Sequence, residues 1–136
     1  MRPTRHLILV VDDDAGIRDL LTYALGAEGY DVLAVENGQI ALERLVQHPP
    51  ALILLDMNMP VMDGRDFLTA YAQLPAPHAP IIAFSASTRR IRIDARLAAP
   101  FRLQVITKPF DLDELYAAVR RALPSGLDSD RATECD

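Results

Sequence analysis

The chain has one cysteine among its 136 residues, Cys135 beside the C-terminus, so no disulfide framework and no paired-thiolate metal site can be built within it. A reducing cytoplasm is the expected setting. Long apolar runs are missing too. The first, Leu7 to Val11, stops at Asp12, short of a signal-peptide core and far short of the roughly 20 residues of a membrane span. Export and membrane anchoring are therefore not expected. Positive charge is not in excess either: 14 Lys and Arg face 19 Asp and Glu, a net charge of −5. That balance argues against a protein that holds nucleic acid or anionic lipid by bulk electrostatics. Lysine is almost absent, since 13 of the 14 basic residues are Arg and the single Lys is Lys108.

What is present describes one globular domain. Half the residues (50%) are hydrophobic, 24% are charged and the mean hydropathy is +0.08, enough apolar material for a core without disulfides. Five short apolar runs alternate with longer segments of helical period: Leu7 to Val11, Val32 to Val35, Leu52 to Leu55, Ile81 to Phe84 and Leu103 to Thr107. Such unbroken branched runs suit parallel strands covered on both faces. Between them, Ile17, Leu20, Leu21, Ala24 and Leu25 form one apolar helix face that ends near Gly26 or Gly29. A second helix spans about Gly38 to Gln47, with Asn37 as N-cap and Pro49-Pro50 as its stop. Phe67, Leu68 and Tyr71 mark a third, and Ile93 and Leu97 mark a less regular fourth over Thr88 to Ala99, ended by Pro100. The fifth helix starts at Asp111, with Glu114 at the reciprocal capping position and Leu112, Leu115, Val119 and Leu123 along one face. The pattern is (βα)5, a doubly wound α/β fold over residues 5–123, with right-handed crossovers placing helices on both faces. Residues 124–136 are small, polar and acidic and are expected to form a disordered tail.

In an open parallel sheet, ligands bind at the carboxyl ends of the strands. Strand one ends in Asp12-Asp13-Asp14, strand three in Asp56, strand four in Ser85 and strand five in Lys108. Carboxylates gathered this way raise one another's pKa or recruit a cation. A hard divalent ion such as Mg²⁺ suits oxygen ligands of this kind. Lys108 adds a compact positive point charge of the sort that meets phosphoryl oxygens. One of the three consecutive acids, Asp14, has a simpler use as a helix cap. His6, His48 and His78 lie away from the strand ends and read as surface or packing histidines. Met57, Met59 and Met62 read as loop packing.

Four stretches carry a resemblance. Ile8-Leu9-Val10-Val11-Asp12-Asp13-Asp14, Leu54-Leu55-Asp56-Met57-Asn58-Met59-Pro60-Val61-Met62-Asp63-Gly64, Ser85-Ala86 and Thr107-Lys108-Pro109-Phe110 resemble the receiver domain of two-component response regulators, in the right order. The resemblance implies a flavodoxin-like sheet of order 2-1-3-4-5. It also implies that Asp56 is the phosphoacceptor for a sensor histidine kinase or a histidine phosphotransfer protein. By the same likeness, Asp13 and Asp56 hold Mg²⁺ directly, Asn58 adds its backbone carbonyl and Asp12 acts mainly through metal-bound water. Lys108 pairs with the aspartate and then with the phosphoryl group, across a Lys108-Pro109 bond that is typically cis in such domains. Ser85 supplies the hydroxyl that follows the phosphoryl group. The product is a phospho-switch rather than an enzyme, expected to stand alone, to act on a partner in trans or to relay its phosphoryl group, and to leave nucleic acid and membranes alone.

Two features depart from the family pattern. Val105 stands where Tyr or Phe is usual, three residues before Lys108, which puts the aromatic half of the switch in question. Phe101-Arg102 stands where Gly-Ala is common and Pro100 precedes it, so the approach to strand five is expected to be unusual. Arg89, Arg92 and Arg96 share one helical face, which serves either as a solvated face or as a docking surface for an acidic partner or a second copy. A homodimer would use the face made by helix four, strand five and helix five. Rival readings fit less well. A haloacid-dehalogenase-type phosphatase also uses an Asp nucleophile but wants DxD after strand one and a cap insertion. A flavodoxin needs a Ser/Thr/Gly phosphate loop where this chain has three acids.

Overall fold

A computed structural model describes residues 6–59, 62–85 and 98–123. Five strands, β1 (Leu7–Val11), β2 (Asp31–Val35), β3 (Leu52–Asp56), β4 (Ile81–Ser85) and β5 (Gln104–Thr107), form one parallel sheet in the order β2-β1-β3-β4-β5. Four helices are described: α1 (Ala15–Ala27), α2 (Gly38–Gln47), α3 (Gly64–Ala72) and α4 (Leu112–Ala122). The last is the fifth helical segment of the sequence reading. The fourth segment falls largely outside the described residues, with Arg89, Arg92 and Arg96, as does the tail with Cys135.

Strand chemistry follows position in the sheet. β3 and β4 are interior and buried at every residue, whereas the edge strands β2 and β5 are only partly covered. Successive side chains on a strand point to opposite faces, and the core divides accordingly. Leu9, Val11, Ile53, Leu55, Ile81 and Ala83 pack under α2 and α3. Ile8, Val10, Leu52, Leu54, Ile82 and Phe84 pack under α1 and α4. Each fully buried side chain of this size contributes about 1.5–3 kcal/mol.

The helix ends are set by short polar side chains. Asp14 Oδ1 accepts from Gly16 N at 2.8 Å and Ile17 N at 3.3 Å, which gives the third consecutive acid a structural use. Asn37, Asp63 and Asp111 cap α2, α3 and α4 by accepting from Ile40 N, Asp66 N and Glu114 N. α1 runs through Gly26 and ends before Gly29, whose φ of 99° only glycine adopts freely.

The approach to β5 does have its own shape. Ala99–Phe101 forms a single 3₁₀ turn with Pro100 inside it, and Arg102 takes a left-handed φ of 45°. Phe101 is fully buried: it stacks on Tyr71 with centroids 5.3 Å apart and meets the His78 ring edge-on at 5.5 Å. His78 is thus a packing histidine, its Nε2 2.8 Å from Leu74 O. The turn is shaped to seat this ring.

The chain also makes one very close approach. A Cβ on Gly64 would lie 2.7 Å from Met57 Cα and against the Met57 side chain, and backbone cannot move away as a flexible side chain can. Gly64→Ala is expected to destabilise the protein by about 1–3 kcal/mol, measured by urea denaturation. An unchanged midpoint would contradict the tight β3–α3 connection.

Candidate functional site

The parallel ladder itself delivers the reactive side chains to one edge. Asp56 is the last residue of β3 and pairs in register with Phe84; Ser85 closes β4 opposite Thr107. The hydrogen bonding runs one residue past the strands, with Met57 N donating to Phe84 O at 2.9 Å, Lys108 N to Ser85 O at 2.7 Å and Asp12 N to Val35 O at 3.1 Å. Asp12, Met57 and Lys108, which follow β1, β3 and β5, are therefore held by the ladder as the strands are. Lys108-Pro109 is cis.

Two carboxylates are built alike. Asp12 accepts from Asp14 N at 2.9 Å through Oδ1, and Asp56 accepts from Asn58 N at 3.0 Å through Oδ1. In each, one oxygen is tied to the backbone two residues on, and the other, Oδ2, faces Lys108. Lys108 Nζ lies 3.1 Å from Asp12 Oδ2 and 3.6 Å from Asp56 Oδ2, so its closer partner is Asp12, whereas the sequence reading paired it with Asp56. Arg18 Nη1 donates to Asp12 O at 2.8 Å and steadies the loop from α1. Asp13 is exposed at the rim, and one ligand atom from each of Asp12, Asp13 and Asp56 lies within 4.8 Å of the other two.

Among the described residues, charge in this pocket is unbalanced: the carboxylates of Asp12, Asp13 and Asp56 gather around the single ammonium of Lys108. Asp56, only 4% exposed, has its pKa pushed up from 3.8 to about 6. Burial is the main cause, and the neighbouring Asp12 charge and a hydrogen bond with Asp13 add to it. The Asn58 N–H and Lys108 act in the opposite direction. A buried carboxylate with uncompensated acidic neighbours and all-oxygen donors fits a hard divalent cation.

The family model of the response regulator receiver domain matches residues 8–120. The chain belongs to that family. Receivers are signalling phosphoacceptors rather than classical enzymes. This one is 37% identical to sporulation initiation phosphotransferase F of Bacillus subtilis, over 86% of this chain and 93% of that protein. It is 37% identical to the DNA-binding transcriptional regulator NtrC of Escherichia coli, over 88% of this chain, but spans only about a quarter (25%) of NtrC. Chemotaxis protein CheY4 of Vibrio cholerae superposes with a TM-score of 0.70 at 25% identity, covering 88% of this chain and 99% of that one.

Other expected residues of the receiver are placed as follows. Ser85 is buried at the end of β4, Asn58 is exposed two residues after Asp56, and Val105 is 48% exposed on the edge strand. Among the described residues no helix is long and apolar enough to cross a membrane. One feature escaped the sequence reading. Leu20, counted there with the buried face of α1, is 41% exposed. With Ile17, Pro109 and Phe110 it walls a depression of about 410 Å³ that opens beside Lys108. The apolar arc of α1 is wider than the sheet can cover, and that excess was the available signal.

The shifted carboxyl makes a prediction for the metal-free receiver. Because the folded pKa of about 6 exceeds the ordinary 3.8, the folded state holds the proton more tightly, and stability from this group falls as pH rises from about 4 through 6. Above about pH 7 the ionised carboxylate costs on the order of 2–3 kcal/mol. Asp56→Asn is therefore expected to raise the melting temperature at about pH 8, with the gain shrinking toward zero near pH 4. A pH-independent gain would contradict the burial argument.

Proposed function

We propose that this receiver is a phospho-switch in which Asp56 takes a phosphoryl group from a phosphohistidine on a sensor kinase or a histidine phosphotransfer protein. The observation that carries the reading is the convergence of Asp12, Asp13, Asp56 and Lys108 on one edge pocket, with Asp56 Oδ2 turned toward Lys108. Near neutral pH a carboxyl of pKa about 6 is mostly ionised and nucleophilic. Oδ2 attacks phosphorus in line; the new O–P bond forms as the P–N bond to the imidazole breaks, and the imidazole takes up a proton. Lys108 neutralises charge spreading over the phosphoryl oxygens.

Mg²⁺ would be held by Asp13, Asp56 and the Asn58 backbone carbonyl with Asp12 alongside, and when bound it supplies further neutralisation of carboxylate and phosphoryl charge. The product adds a charge of about −1.5 to −2. Lys108 then follows the phosphoryl group away from Asp12, and the Ser85 hydroxyl is the donor that draws its loop inward. That rearrangement is the switch, and it needs a differential of a few kcal/mol. With Val105 in place of an aromatic ring, the output surface around β5 lacks a large side chain to swing and reads out through the backbone and neighbouring residues.

The depression of Ile17, Leu20, Pro109 and Phe110 is where the histidine donor docks, since it is apolar and borders Lys108. Residues 5–123 are the receiver and 124–136 an acidic tail. In the cytoplasm the signal passes to a protein target or a second copy, for which Arg89, Arg92, Arg96 and Val105 are the candidate contact residues. The test is incubation with phosphoramidate and Mg²⁺ followed by intact mass. An adduct of about 80 Da is expected on wild type, lost with chelator and in Asp56→Asn, and reduced at least about tenfold in Lys108→Ala. No adduct on wild type, or an equal one on Asp56→Asn, would falsify the proposal.

A further inference from the structure

At the opposite edge of the sheet from Asp56, the C-terminal ends of α2 and α3 and the segments leading into β3 and β4 line an open cavity of about 740 Å³. Its size falls within the roughly 300–1,000 Å³ of small-ligand sites. We infer that this cavity is a binding site for a small, uncharged, largely aromatic molecule.

Three properties of the walls carry the assignment. None of the lining residues is Asp, Glu, Lys or Arg, so a charged ligand would lose its hydration with no counter-charge to replace it. Five are prolines, Pro49, Pro50, Pro75, Pro77 and Pro80, whose φ is fixed by the ring. The walls are thus largely formed in advance, and little ordering is needed on binding. The third property is aromatic: His78, partly exposed and held edge to face on the buried Tyr71 ring with centroids 5.0 Å apart, lines the cavity, which suits a planar ring system.

Polar groups are few and defined. His78 Nε2 lies 2.8 Å from the Leu74 carbonyl, so in the neutral ring Nε2 carries the proton and Nδ1 is an acceptor. The Tyr71 oxygen accepts from Ala79 N at 2.8 Å, and its own proton remains to donate. His78 and Tyr71 are thus the polar side chains of an otherwise apolar lining. Occupancy here leaves Asp56 accessible.

The test is a titration of the full chain with 2-naphthol, with its charged counterpart 2-naphthoate alongside, followed by amide chemical shifts in NMR. Saturable shifts confined to residues 45–51 and 71–80 are expected with 2-naphthol. Binding should be at least about tenfold weaker for 2-naphthoate and in Val46→Glu, a cavity residue 66% exposed and so tolerant of change. Leu74→Glu, deeper in the wall, is the second variant should Val46 prove peripheral. Absence of saturable shifts up to the solubility of 2-naphthol, shifts scattered over the surface, equal binding of 2-naphthoate, or undiminished binding in both variants overturns the inference.

Discussion

The carboxyl edge of this domain is organised by the burial of one acid. Asp56 ends a strand that is covered on both faces, so its carboxylate cannot be left to water and must be stabilised by what the protein places beside it. One oxygen takes the Asn58 N–H and the other faces Lys108. Neither suffices, because Asp12 competes for the same ammonium at a shorter distance, and the carboxyl remains shifted upward. A site poised in this way gains from any further positive charge and from any reaction that moves the negative charge outward. The proposed metal binding answers that deficit, and the proposed reaction carries the negative charge outward from the buried carboxyl.

The rest of the architecture serves the same placement. A parallel sheet sends every strand end to one edge, and ladder bonds that run past the strands, such as Lys108 N to Ser85 O, fix the residues just beyond them. Arg18 reaches back from α1 to hold the Asp12 carbonyl. The side chains that meet phosphorus in the proposed reaction thus come from three separate strand ends and need no large rearrangement to converge.

Much of this was legible in the amino-acid order. Unbroken branched runs locate all five strands to within a residue or so, because interior parallel strands tolerate no polar face, and Asn37 and Asp111 mark helix starts through a bond that is local in sequence. Family membership and sheet order followed from motifs at four strand ends. What the order of residues hides is three-dimensional competition. Nothing local says that Lys108 sits nearer Asp12 than Asp56, or that Leu20 escapes the core, since both depend on how wide a face the sheet covers. The stack of Phe101 on Tyr71 joins residues 30 positions apart, beyond the reach of any periodicity. The proline-walled cavity joins the ends of α2 and α3 to two segments that the pairing of β3 with β4 brings together.

The central claim is that phosphoryl chemistry occurs on one carboxylate and not on its two acidic neighbours. Borohydride reduction of the phosphorylated protein converts an aspartyl phosphate to homoserine, and peptide mass mapping then locates it. Homoserine at position 56 alone is the predicted result. Homoserine at position 12 or 13, or at none of the three in protein that has gained a phosphoryl group, would contradict the account.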